Sequence, residues 1–150
     1  MKIIPNNLFF NEIEKILTTG EKVRITVKGR SMMPLLNSGR DVVELSPANN
    51  QSLSVGQIVL FRHKDRHILH RIIKINSENI ILQGDGVRST ETATREDVVG
   101  SVTAIIRKNG RKIVLPNKWE KLYFRLWFVL KPFRRYLLAI YRRIFYNYFK

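Results

Sequence analysis

The chain has 150 residues, long enough for one domain with its own core. It contains no cysteine, which excludes disulfides, thiolate catalysis and cysteine-held zinc. Its formal net charge is +15, so a polyanionic neighbour is expected: nucleic acid, an anionic membrane surface or an acidic substrate.

Residues 7–19 read as a helix. Leu8, Phe9, Ile13, Ile16 and Leu17 share a face, Asn6 or Asn7 can cap the start, and Gly20 can end it. Pro5, Asn6, Asn7, Glu12 and Glu14 interrupt any apolar h-region, so no signal peptide is predicted. The period then drops to two. Val23, Ile25 and Val27 alternate with Lys22, Arg24, Thr26 and Lys28, the pattern of a half-buried strand. Strand-like runs follow at 41–45, 57–62, 67–75, 79–83, 98–107 and 111–115, and Asn109-Gly110 is a two-residue hairpin signal. Residues 20–115 therefore predict a mainly β domain of short antiparallel strands, barrel- or sandwich-like.

A boundary is placed at Pro116, giving a β domain with an N-terminal helix over 1–116 and a basic, aromatic helical tail over 117–150. In the tail Trp119, Leu122, Tyr123, Leu126, Leu130, Phe133, Leu137, Ile140, Ile144 and Tyr148 recur at helical spacing. Glu120 is the only acid after residue 117, and Pro132 should divide the helix near Lys131. A cationic helix rich in Trp, Tyr and Phe has the composition of an interfacial membrane helix. Trp119, Arg125, Trp127, Arg134, Arg135, Arg142 and Arg143 are the expected membrane contacts. The rival readings are packing on the domain or a partner, and nucleic-acid binding. The last is disfavoured because no helix-turn-helix or RNA-binding signature is present. With no run of 18 apolar residues, no spanning helix is predicted, and the expected location is peripheral, on the cytoplasmic face of a membrane.

The stretch "VKGRSMMPLL" at 27–36 raises a question of chemistry. A serine hydroxyl is a poor nucleophile without a base and an oxyanion hole. Gly29 allows close backbone approach, so main-chain N–H groups at Gly29 and Ser31 can point at a carbonyl oxygen. Taken alone, such a serine is usually a turn residue or a cap. The remaining motifs change the reading. "GRSMMPLL" is followed in order by "GQIVLFR", "LHRIIKI", "LQGDG" and "DVVGSV". This series resembles the signal peptidase I superfamily, whose relatives include the LexA-like self-cleaving proteins, over roughly residues 24–106. Gln57 stands where the family carries an aspartate.

The resemblance implies a signal peptidase/LexA-like complex β-fold, with Ser31 as nucleophile. It implies His70 as general base, in the position before Arg71 where the endoplasmic-reticulum and SipW-like branch carries histidine. A histidine is nearly poised for this role at neutral pH, whereas a lysine must be desolvated. Strand parity puts His70 on one face with Ile68 and Ile72, and His67 on the other with Leu69 and Ile73. His63 falls in a turn. The orienting acid implied by the family is Asp85, which matches the G-D motif directly, with Glu91 as the alternative. This chemistry requires no cofactor and no metal. The expected activity is a serine endopeptidase cleaving a leader, signal or precursor peptide at or near a membrane. The alternatives are a non-enzymatic peptidase-like module that binds peptide or membrane, and a LexA-like regulator.

Overall fold

The computed structural model describes residues 6–145, with side chains from Leu8 onward. The element order is α1 (Asn6–Thr18), β1 (Val23–Thr26), β2 (Asp41–Pro47), β3 (Ile58–His63), β4 (Arg66–Ile75), β5 (Asn79–Gln83), β6 (Glu91–Thr94), β7 (Val98–Arg107) and β8 (Lys112–Val114). Helices α2 (Lys118–Val129) and α3 (Arg134–Phe145) follow. The expectation of a mainly β fold holds. All described strand pairings are antiparallel, in the order β1-β2-β7-β3-β4-β5-β6, with β8 on β7.

The sheet serves two cores because β3 is buried on both faces. Ile58 and Leu60 point into the cluster under α1, with Ile25, Val43, Leu45, Val102 and Ile105. Val59 and Phe61 point the other way, onto Ile72, Ile80, Leu82 and Val98. Side chains alternate along a strand, so a continuous apolar run such as "IVLF" feeds both faces at once. The strand register shifts at Glu44/Leu45, Leu60/Phe61 and Ile72/Lys74, the mark of bulges or other irregularities in the ladders.

Three local expectations are corrected. The buried row of α1 includes Ile13 and Leu17 with Phe10 packed beside them, while Leu8, Phe9 and Ile16 are exposed. Phe10 stacks on His67, and Glu14 bonds both His67 and Arg62, so contacts to β3 and β4 set the rotation of the helix. The proposed capping side chains Asn6 and Asn7, and Tyr148 in the tail, lie outside what is described. Four residues, 108–111, separate β7 from β8, not two. The Arg107 N–H donates to Arg111 O, and Gly110 takes φ +84°, closing the turn with a glycine in the left-handed region. The strand β6 was not foreseen, because "ETAT" is short and polar.

Asp41, at the start of β2, ties the sheet to the loop after Ser31. It is fully buried and accepts from the Asn37 N–H, Arg40 and Arg107 at 2.7–2.9 Å. The same two arginines donate to the carbonyl of Leu35. Burial pushes this carboxyl up. The hydrogen bonds from Arg40, Arg107 and the Asn37 N–H outweigh burial and hold it below the usual range. A depressed folded pKa gives stability that is present above the unfolded value and lost as pH falls through the folded one. The urea midpoint of unfolding should therefore fall as pH is lowered from about 6 to about 3. Asp41→Asn should cost about 3 kcal/mol at neutral pH and flatten that pH dependence.

Candidate active site

Ser31 sits in a turn pinned on two sides. Gly29 takes φ +82°, which places the chain where a side chain would be strained. Met32 and Leu36 are buried in the core under α1, and Met33 is buried against Trp127 and Leu138. Ser31 itself is half-buried. Among the described residues the N–H groups of Gly29 and Ser31 donate to no main-chain acceptor outside the turn's own geometry.

The loop Gly84-Asp85-Gly86 lies against this turn. Gly86 N–H donates to Ser31 O at 2.8 Å. A Cβ on Gly84 would collide with the Ser31 carbonyl and stand 2.9 Å from His70 Nε2. A Cβ on Gly86 would stand 2.7 Å from Arg30 O. Both glycines are thus set by close approach of one backbone to another. The Gly84 contacts also locate the serine turn and the histidine: Ser31 O and His70 Nε2 flank one glycine.

His70 projects from β4 into the second core, beside Phe61 and opposite Val59, with 5% of its surface exposed. Its Nδ1 is 2.8 Å from Glu91 Oε2. An ionised carboxylate only accepts, so Nδ1 carries the proton and Nε2 presents its lone pair toward Gly84 and the serine turn. The sheet explains the pairing. Arg71 pairs with Gln83, so His70 falls beside Gly84, where no side chain blocks the imidazole. Glu91 opens β6, the next strand over, opposite Leu82. Among the described residues no hydrogen bond joins Ser31 Oγ to His70. Such contacts often tighten only when substrate binds.

The expectation that Asp85 orients the imidazole is corrected. Its Oδ1 and Oδ2 each accept from Arg71 at 2.9 Å, and Oδ2 also accepts from Tyr123 Oη at 3.0 Å. Burial and the Asp85 charge push the Tyr123 hydroxyl up, so it stays a donor. The geometry gives the orienting position to Glu91. His67 is held by Glu14 and Phe10, and His63 packs edge-on to Phe61, so neither approaches Ser31. Gln57 is structural: its side chain accepts from Ser54 N–H, and its carbonyl from Ile72 N–H.

The tail is not a free appendage. The α2 helix, capped by Asn117, docks on the back of the Gly84–Gly86 loop. Glu120 pairs with Arg71, and Trp127 Nε1 donates to Asp85 O at 2.6 Å. Phe124 and Tyr123 flank the Arg71 guanidinium. Two of the expected membrane contacts are therefore corrected. Trp127 (8% exposed) and Arg134 (4%) face inward, whereas Trp119, Arg125, Arg135, Arg142 and Arg143 are exposed. The helix divides near Lys131, as Pro132 requires, with a 3-10 turn over Lys131–Phe133. The sequence carried one signal of this docking, the lone acid of the tail, Glu120.

No protein-family model matches this chain, and no curated protein matches it significantly.

The two carboxylates should separate on mutation. Glu91→Gln should leave the unfolding midpoint nearly unchanged while lowering any Ser31-dependent turnover by about 10²–10⁴-fold. Asp85→Asn leaves Arg71 short of its main partner and should cost about 3–5 kcal/mol in chemical denaturation. Similar losses of stability in both variants would refute the distinction.

Proposed function

We propose that the protein is a serine endopeptidase of the signal peptidase type, with Ser31 as nucleophile, His70 as general base and Glu91 as orienting acid. The observation that carries this reading is the Glu91–His70 pair, whose free Nε2 faces the glycine that also touches the Ser31 carbonyl. Ser31 Oγ attacks a peptide carbonyl carbon as Nε2 takes its proton. Glu91 stabilises the imidazolium that results. The Gly29 and Ser31 N–H groups receive the oxyanion. The tetrahedral adduct collapses to the Ser31 ester as Nε2 returns the proton to the leaving amine. Water, deprotonated by Nε2, then adds to the ester and regenerates Ser31.

An extended peptide is the fitting substrate. The outer edge of β1 carries no strand among the described residues, and β1 runs directly into the Gly29–Ser31 turn. A leader or precursor peptide adding at this edge would deliver its carbonyls to the site by main-chain pairing. The location supported best is peripheral to a membrane. No described helix is long and apolar enough to cross one, yet Trp119, Leu122, Leu126 and Val129 form an exposed apolar row on α2.

The test is a fluorophosphonate probe combined with cleavage profiling on a mixed peptide library. Labelling mapped to Ser31, and cleavage lost in both Ser31→Ala and His70→Ala, is the expected result. Library peptides that bind wild type while it neither labels nor cleaves above Ser31→Ala would make this a binding module instead. A Gly84→Ala variant, which drives a methyl against Ser31 O and His70 Nε2, should lower turnover and destabilise by about 1–3 kcal/mol.

A further inference from the structure

Behind the Gly84–Gly86 loop lies a cleft of about 460 Å³ between that loop and α3. Arg88, Arg134, Arg135 and Arg142 line it, and no acid does. None of these arginines forms an ion pair among the described residues. Arg134 is almost wholly buried, yet its hydrogen bonds are long: 3.3 Å to Gln83 Oε1 and 3.4 Å to Trp127 O. The nearby Asp85 carboxylate already accepts from Arg71 and Tyr123. A buried guanidinium without a close anion is destabilising. Its place in the chain adds to the imbalance. Arg134 and Arg135 open α3, and no acid stands in that first turn. The positive end of a helix dipole disfavours cations and favours an anion.

We infer that this cleft binds a phosphate group, free or on a small soluble phosphomonoester. A carboxylate offers two oxygens and one charge, which a single forked guanidinium can satisfy. A phosphomonoester carries about −1.5 to −2 charges and three acceptor oxygens, so it engages several arginines at once. The arginines here approach from separate elements. Arg88 follows the glycine loop, Arg134 stands on the buried side of α3, and Arg135 and Arg142 are exposed on the same helix. Arg135, Leu138, Ala139 and Arg142 recur at i, i+3, i+4 and i+7, so they share one face of α3. Ala139 lies between the two exposed arginines, and its side chain is too short to fill the space. The cleft is larger than one phosphate, and Val87 and Leu138 give it an apolar wall for the rest of an ester. The exposed apolar row of α3, Tyr136, Ile140 and Ile144, lies on the opposite face of the helix, so the fitting ligand is a soluble one.

This site is independent of the peptidase chemistry and of membrane association, since none of its arginines takes part in the proposed reaction. The test is calorimetric titration of the full chain with inorganic phosphate and with phenyl phosphate, at neutral pH and constant ionic strength. The wild type should bind, and Arg135→Gln/Arg142→Gln should weaken that binding about tenfold or more. Arg66→Gln/Lys108→Gln, which removes equal charge from exposed sites elsewhere, should change it by about twofold at most. Arg134→Gln should also lose binding, and the exposed pair decides the matter where that variant fails to fold. Phosphate should raise the urea midpoint of the wild type and of the control pair but not of the cleft pair, because a ligand held only by the folded state stabilises it. Tighter binding of phenyl phosphate would make a monoester the ligand, and equal binding would make it free phosphate. Equal losses in the two double variants, or no binding of either probe by the wild type, would overturn the site.

Discussion

The Arg71 guanidinium is the hub on which the functional end of the molecule depends. It is 1% exposed and donates to Asp85, Glu120 and the Gly56 carbonyl. Phe124 and Tyr123 cover its sides. A charge so far from water needs close anions, and the two carboxylates hold it firmly protonated despite burial. Each partner comes from a different part of the chain. Asp85 belongs to the glycine loop, Gly56 to the turn before β3, and Glu120 to α2. One side chain thereby joins the sheet, the loop and the tail.

This constraint determines how the candidate site is divided. Asp85 belongs to the framework, since both its oxygens serve Arg71 and its carbonyl serves Trp127. Glu91, on the neighbouring strand, is left to meet the imidazole. The loop between them is then fixed from behind by α2 and from the front by the Gly86–Ser31 hydrogen bond. Removing the tail would uncover Arg71 and Asp85 together. The tail thus has two surfaces: an inner one that supports the loop, and an outer one of apolar and cationic residues.

Much of the fold was legible because period and turn chemistry are local. Alternation marked β1, strand-like runs marked the regions of β2, β3, β4, β5, β7 and β8, and Pro132 marked the division of the tail. On α1 Ile13 and Leu17 are buried as expected, but Leu8, Phe9 and Ile16 make as good an apolar row beside them as Phe10 does on the other side. The stacking of Phe10 on His67 and the Glu14 contacts to His67 and Arg62 separate them. In the tail, Trp127 and Trp119 look alike in a helical repeat. One meets a buried carbonyl and the other meets solvent.

The sequence by itself determined which residues are available for chemistry. Ser31 lies in a glycine-led turn, and His70 is the histidine on an apolar strand face, since side-chain direction follows from local backbone period. Tertiary structure alone decided which carboxylate meets His70. Asp85 and Glu91 are six positions apart, and no local rule ranks them. The choice follows from strand order, which puts β6 beside β5, and from a buried arginine that leaves Asp85 no free oxygen. Both causes depend on residues distant in the chain, and they exist only once the sheet has closed and α2 has docked.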